Sequence, residues 1–301
     1  MITWTEAGAV ERPRMVQIRV QRSYPGRVRA GAPVPTRSMS SEEIGANLRF
    51  FTEGIAGPRS EPCNRLVLSG VGVAARADTP HQLELARSLG FEHIVLHAGV
   101  EDLDRLDVPR LSGVSAMVVP VQPGPGGALL QAGARAVKAC RRAGVRVTAS
   151  TQLTGHALGG LDVVARAVVR ARPDALALTY PFPIGGNTSS EVARPPAVLK
   201  ALRRVVARVE AEGIAVRLKG LPACYLGDLA SRLGRSANRW YVDADHQKDR
   251  ALLFFPGVVA FYKEDTCRFC ALDAQCDGFF GTYLRRSGFP ALTPISEPAS
   301  P

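Results

Sequence analysis

Seven short apolar runs alternate with five amphipathic stretches over the first 220 residues, and this rhythm restricts the fold more than any other feature of the chain. The runs are MVQIRV (15–20), RLVLSG (65–70), HIVLHAG (93–99), SAMVVPVQ (115–122), VRVTAS (145–150), DALALTYPF (174–182) and IAVRLKG (214–220). Among them lie SEEIGANLRFF, PHQLELARSLGF, GGALLQAGARAVKACRRAG, GGLDVVARAVVRARP and PPAVLKALRRVVARVEAEG. Several of these open on Pro or a short polar cap and stop at Gly, as helices do. Strands separated by crossover helices run parallel with right-handed connections, and strands this apolar are buried on both faces. No G-x-G-x-x-G or Walker loop follows the first run. The pattern predicts an α/β chain, a partial (β/α)6-type TIM barrel over residues 1–220.

Beyond residue 220 the rhythm stops, and residues 221–290 are rich in Cys, aromatics, Gly and Asp. This stretch reads as a small appended Cys-rich subdomain. Residues 291–301, ending PISEPASP, read as a frayed tail.

Half of the chain's six cysteines fall within ten residues, at C-x2-C-x5-C: Cys267, Cys270 and Cys276. In a chain of 301 residues this is no disulfide framework; clustered thiols in a reducing compartment read as metal or cluster ligands. A closed site needs a fourth ligand. Cys224 in KGLPACYLG is the best candidate, with His246 or an acid as alternatives. Spacing alone leaves both a [4Fe–4S] cluster and zinc open, because both bind thiolate. Cys140 sits in a helical stretch and Cys63 precedes a strand, and both read as core or surface residues.

The charge is +11, yet only five of the 38 basic residues are Lys, the cations are interleaved with acids, and aromatics make up 6%. A nucleic-acid protein is not expected from this. No apolar run of about 18 residues suggests a membrane span, and MITWTEAGAVERPRM lacks the apolar core of a signal peptide. The chain is therefore expected in the cytoplasm.

The run C-x2-C-x5-C-D-G-F-F-G-T-Y resembles the auxiliary-cluster segment, of SPASM or twitch type, near the C-terminus of many radical SAM proteins. CNRLVLSGVGVAARADTPHQLELARSLGFEHIVLHAG is similar to the second βαβ unit of their barrel, and GLPACYLG resembles an element that supplies a fourth cysteine in some of them. The resemblance spans most of residues 15–290. It implies a radical SAM barrel, an auxiliary [4Fe–4S] cluster held by Cys224, Cys267, Cys270 and Cys276, and a place for S-adenosylmethionine at the mouth.

The chain departs from that pattern where radical chemistry begins. In the family the loop after the first strand carries C-x3-C-x2-C, whose thiolates hold the cluster that S-adenosylmethionine chelates. Here the matching positions are Ser23, Arg27 and Ala30, and no cysteine precedes Cys63. The Gly-Gly-Glu-Pro turn reads Ser69-Gly70-Val71-Gly72, so Gly70 and Gly72 are what remains of a cofactor-binding turn. Both losses count against S-adenosylmethionine binding and against radical catalysis.

Barrel chemistry sits at the C-terminal ends of strands. Those ends offer Arg19, His97, Gln122, Gln152, Tyr180 and Lys219. His97, Arg19 and Lys219 are the candidates for non-radical catalysis, although no acid is expected beside His97. Arg22, Arg27, Arg29 and Arg37 make the 21–38 loop basic enough for an anionic ligand or an acidic peptide. Residues 187–190 read as a helix cap, while His81, His93 and His156 carry no evident chemistry. Two functions follow: a pseudoenzyme that scaffolds a peptide or partners an enzyme, or a non-radical enzyme using the barrel mouth.

Overall fold

The computed structural model describes residues 4–5, 8–9, 13–21, 37–53, 62–182, 192–234, 239–254, 261–285 and 288–296. Each of the seven apolar runs forms a strand: β1 (Met15–Arg19), β2 (Arg65–Ser69), β3 (His93–His97), β4 (Ala116–Pro120), β5 (Arg146–Gln152), β6 (Ala175–Thr179) and β7 (Ala215–Lys219). Each pairs parallel with the next in chain order. An eighth parallel strand, β8 (Arg239–Val242), lies on the other side of β1, and β9 (Leu252–Phe254) pairs antiparallel with β8 at the edge. The sheet order is β9-β8-β1-β2-β3-β4-β5-β6-β7.

Residues 239–254 thus extend the barrel sheet beside β1, which corrects the expectation that the whole of 221–290 is an appended unit. The reason is length: β8 has four residues, too few to display a period against the polar residues around it.

The five amphipathic stretches form α1 (Ser41–Thr52), α2 (Thr79–Ser88), α3 (Ala128–Arg142), α4 (Leu161–Ala171) and α5 (Pro195–Glu210). Helix α1 starts at a capping box, with Ser40 Oγ accepting from Glu43 N and Glu43 Oε2 from Ser40 N. No described helix is long and apolar enough to cross a membrane.

Alternation along the strands divides two surfaces. Val16 and Ile18 of β1, Ile94 and Leu96 of β3, and Met117 and Val119 of β4 are buried under the helices. Burying each such side chain contributes about 1.5–3 kcal/mol. Trp240 of β8 packs on Phe51 of α1 with ring centroids 6.1 Å apart, and Cys140 of α3 meets Met117 at 3.5 Å. Residues of opposite parity, including Gln17, Arg19, Val95, His97 and Val118, face the lumen and are only half-buried. The sheet curls without closing: β7 and β8 end the parallel series, and beside β7 Leu218 bridges to Leu233.

Candidate functional site

Beyond β7 the chain turns at Gly220, whose φ is 76° and where an added Cβ would lie 3.0 Å from the Tyr180 carbonyl oxygen. A one-turn helix, Ala223–Leu226, then presents Cys224. Two 3-10 turns, Asp265–Phe269 and Asp273–Gln275, carry Cys267 and bracket Cys270, with Cys276 following the second. All four thiols line one pocket, together with Lys263, Asp273, Leu292 and Thr293. Its empty space, including its opening to solvent, is about 290 Å³. Among the described residues, no three His, Cys, Asp or Glu side chains are grouped as they stand to hold a single metal ion, the four thiols included.

Backbone N–H groups point at the sulfurs. Cys276 Sγ accepts from Ala223 N at 3.4 Å and Gly278 N at 3.3 Å, and Cys270 Sγ accepts from Ile295 N at 3.4 Å. The segment 288–296 therefore walls the pocket, with Ala271 N also donating to Ile295 O at 2.8 Å and Leu292 buried. This corrects the reading of residues 291–296 as part of a frayed tail. Sulfur and amide groups beside the pocket need partners, and this segment supplies them.

Burial, and then the neighbouring thiols, push Cys224 and Cys267 above the ordinary thiol pKa. Lys263 Nζ bonds Asp273 Oδ1 at 2.7 Å and Asp273 O at 2.9 Å at the pocket's rim. The other two cysteines lie in the core: Cys63 donates to Pro13 O at 3.6 Å, and burial raises it to about 12 and Cys140 to about 11.

Aromatic rings weld this segment to the barrel. The strands β10 (Phe261–Tyr262) and β11 (Phe279–Phe280) pair antiparallel. Phe279 lies 5.6 Å from Tyr180, 5.3 Å from Tyr225 and 5.7 Å from Phe289 between ring centroids. Tyr180 is buried and donates to Ala193 O at 2.5 Å, so it is a packing residue and not part of an open mouth.

At the mouth, Arg19, His97 and Lys219 are half-buried at the ends of β1, β3 and β7, while Gln152 is exposed and Gln122 half-buried. Burial, and then the charges of Lys219 and Arg239, lower the His97 pKa to about 4. Gly70 (φ 126°) leaves no room for a Cβ, which would lie 2.7 Å from Gln21 N; Gly72 (φ 68°) faces open space. His246 is not a pocket residue: its Nδ1 lies 2.9 Å from Oδ1 of buried Asp243 at the end of β8. Arg37 bonds Ala244 O and Glu43, tying the start of α1 to the loop after β8. Ser23, Arg22, Arg27, Arg29 and Ala30, and positions 187–190, lie outside the described residues. His81, His93 and His156 are exposed.

Sequence reasoning missed Asp102. Fully buried, it accepts from Gly99 N at 2.7 Å and Ala75 N at 2.9 Å, so one carboxylate joins the turn after β2 to the turn after β3. Burial raises its pKa. In the sequence it is one acid in EDLDRLD, and nothing there marks it as buried.

No protein-family model matches the chain, and no curated protein matches it by sequence. Solved structures match it in fold. Streptococcus suis SuiB bound to S-adenosylmethionine superposes with a TM-score of 0.59 at 8% identity, over 92% of this chain and 75% of that one. Native anSMEcpe with bound AdoMet gives 0.58 at 11% identity, over 88% and 89%. SuiB bound to its precursor peptide SuiA gives 0.56 at 9% identity, over 79% of this chain but 59% of that one. These are radical SAM enzymes, and the chain has their fold.

Proposed function

We propose that this chain is a radical SAM-type barrel that no longer generates radicals, binds one [4Fe–4S] cluster through Cys224, Cys267, Cys270 and Cys276, and acts as a scaffold or partner protein in peptide or natural-product modification. The single observation that carries this reading is the gathering of those four thiols around one pocket. The donor set suits the group. Thiolates are the usual ligands of such clusters, and N–H groups directed at sulfur tune and hold them. Burial and mutual repulsion that raise the pKa of Cys224 and Cys267 are relieved when a metal replaces the protons.

The second half of the reading rests on the sequence. No cysteine precedes Cys63, so the loop after β1 has no thiolates for a second, S-adenosylmethionine-binding cluster. A peptide as the bound molecule is supported by the fold shared with SuiB, solved with its precursor peptide SuiA.

Iron and acid-labile sulfide analysis of anaerobically purified protein tests the cluster. Four of each per chain is the expected result; a colourless protein with one equivalent of zinc would overturn it. Calorimetry with S-adenosylmethionine tests the lost centre, and the expected result is no heat of binding.

A further inference from the structure

Residues 288–296 form neither helix nor strand, so their place is set by contacts outside the segment. Those contacts fall on two separate parts of the chain. On one side the Tyr225 hydroxyl donates to Pro290 O, and the backbone amide of Thr293 lies against Cys224. On the other side Ile295 N donates to Cys270 Sγ at 3.4 Å, and Ile295 O accepts from Ala271 N at 2.8 Å. Phe289 anchors the near end, its ring stacked on Tyr283 with centroids 5.7 Å apart. Between these anchors Leu292 turns inward. It is 4% exposed and lines the thiol pocket, while Ala291 and Thr293 on either side of it are exposed.

Cys224 comes from the short helix after β7 and Cys270 from the turns after β10, so two distant pieces of chain must present their thiols to one space. The segment 288–296 touches both pieces. We propose that it is a clasp, which holds Cys224 against the C-x2-C-x5-C turns, closes the pocket over the group the thiols bind, and sets how fast that group is lost. A segment with so few buried contacts opens far more readily than the barrel, and the burial of Leu292 carries much of its closing. Ile295 N has a second effect. A donor aimed at sulfur stabilises the negative charge that a cluster gains when it takes up one electron, so this amide raises the reduction potential. Only that redox effect rests on the cluster reading; the closing of the pocket does not.

Iron release to excess EDTA, followed as loss of visible absorbance on the full anaerobically purified chain, tests the clasp. Leu292→Ala should release iron at least about tenfold faster than the parent. Leu292→Met should restore most of the parent's rate, and Ala291→Ser, an exposed change in the same segment, should leave it unaltered. Ile295→Pro keeps Leu292 but lacks the N–H, and should show a lower midpoint potential in a redox titration. Far-UV circular dichroism checks that each variant is folded. Parent-like release in both Leu292→Ala and Ile295→Pro would overturn the clasp, as would equal acceleration in Ala291→Ser; a parent-like potential in Ile295→Pro would overturn the role given to its amide. Should the parent hold no iron, alkylation by iodoacetamide, resolved by mass spectrometry, replaces iron release. Faster modification of Cys224 and Cys270 in Leu292→Ala, with buried Cys63 and Cys140 unchanged, then supports the clasp while the cluster is refuted. Equal rates refute both, and an iron-loaded parent whose variants all release iron alike refutes the clasp alone.

Discussion

Tyr283 donates its hydroxyl to the carbonyl of Pro181 at 3.0 Å, a bond between the cysteine segment and the end of β6 across 102 residues of chain. The ring is fully buried and stacks on Phe289 with centroids 5.7 Å apart. Tyr283→Phe keeps the ring and leaves a buried carbonyl without this donor. The expected cost is about 1–3 kcal/mol, read as a lower urea midpoint at unchanged slope. Because the barrel's own strands are untouched, its far-UV circular dichroism should be unaltered below the transition.

The strands β1 to β7 were legible because each combines an apolar run with a helix-length crossover, so local pattern and long-range topology agree. The four pocket cysteines were legible through spacing alone for three of them; Cys224 was placed only by what surrounds it in KGLPACYLG. Other parts carried no such signal. Strand β8 is recruited by the open edge of β1, a tertiary demand that RWYV does not display. The wall at 288–296 is fixed at Ile295 by Cys270 Sγ, 25 residues upstream, and by the neighbouring Ala271 N. Asp102 and Arg239 matter through burial and through neighbours on other strands, neither of which a linear pattern contains.

The cysteines should separate into two classes. Ala substitution at Cys224, Cys267, Cys270 or Cys276 removes a pocket thiol and is expected to abolish most of the iron and sulfide. Cys63→Ala and Cys140→Ala leave the pocket intact, so cofactor content per folded chain should match the parent. Each core substitution should still cost about 1 kcal/mol or more for the cavity it leaves. Iron assay and thermal denaturation on the same samples make the distinction.

Gly278 and Gly72 both hold positive φ, at 88° and 68°, but in different surroundings. A Cβ on Gly278 would strike the carbonyl oxygen of Tyr262 and come within 2.9 Å of Lys263 Cγ, whereas on Gly72 it would meet nothing within 4 Å. Gly72→Ala should therefore cost only the left-handed strain of about 1–2 kcal/mol. Gly278→Ala adds a backbone clash beside Cys276 and should cost more, with lower iron content as a second sign. Equal costs by urea denaturation would contradict the difference in packing.

His97 gives the fold an acid-side pH dependence whose sign follows from its lowered pKa. Burial, Lys219 on β7 and Arg239 on β8 all disfavour the imidazolium, moving the value from 6.5 to about 4. Between those values the unfolded chain binds more protons than the folded one, so stability rises with pH and levels off above the upper value. As pH falls through this window, that part of the stability is lost. His97→Asn removes the titration and should flatten the parent's slope between about pH 4 and 6.5. Carboxylates such as Asp78, lowered by Arg76, also shed stability in acid, but they do so equally in both proteins and cancel in the difference. Urea midpoints for parent and variant across the window measure it, and parallel curves would mean that His97 titrates as an ordinary histidine.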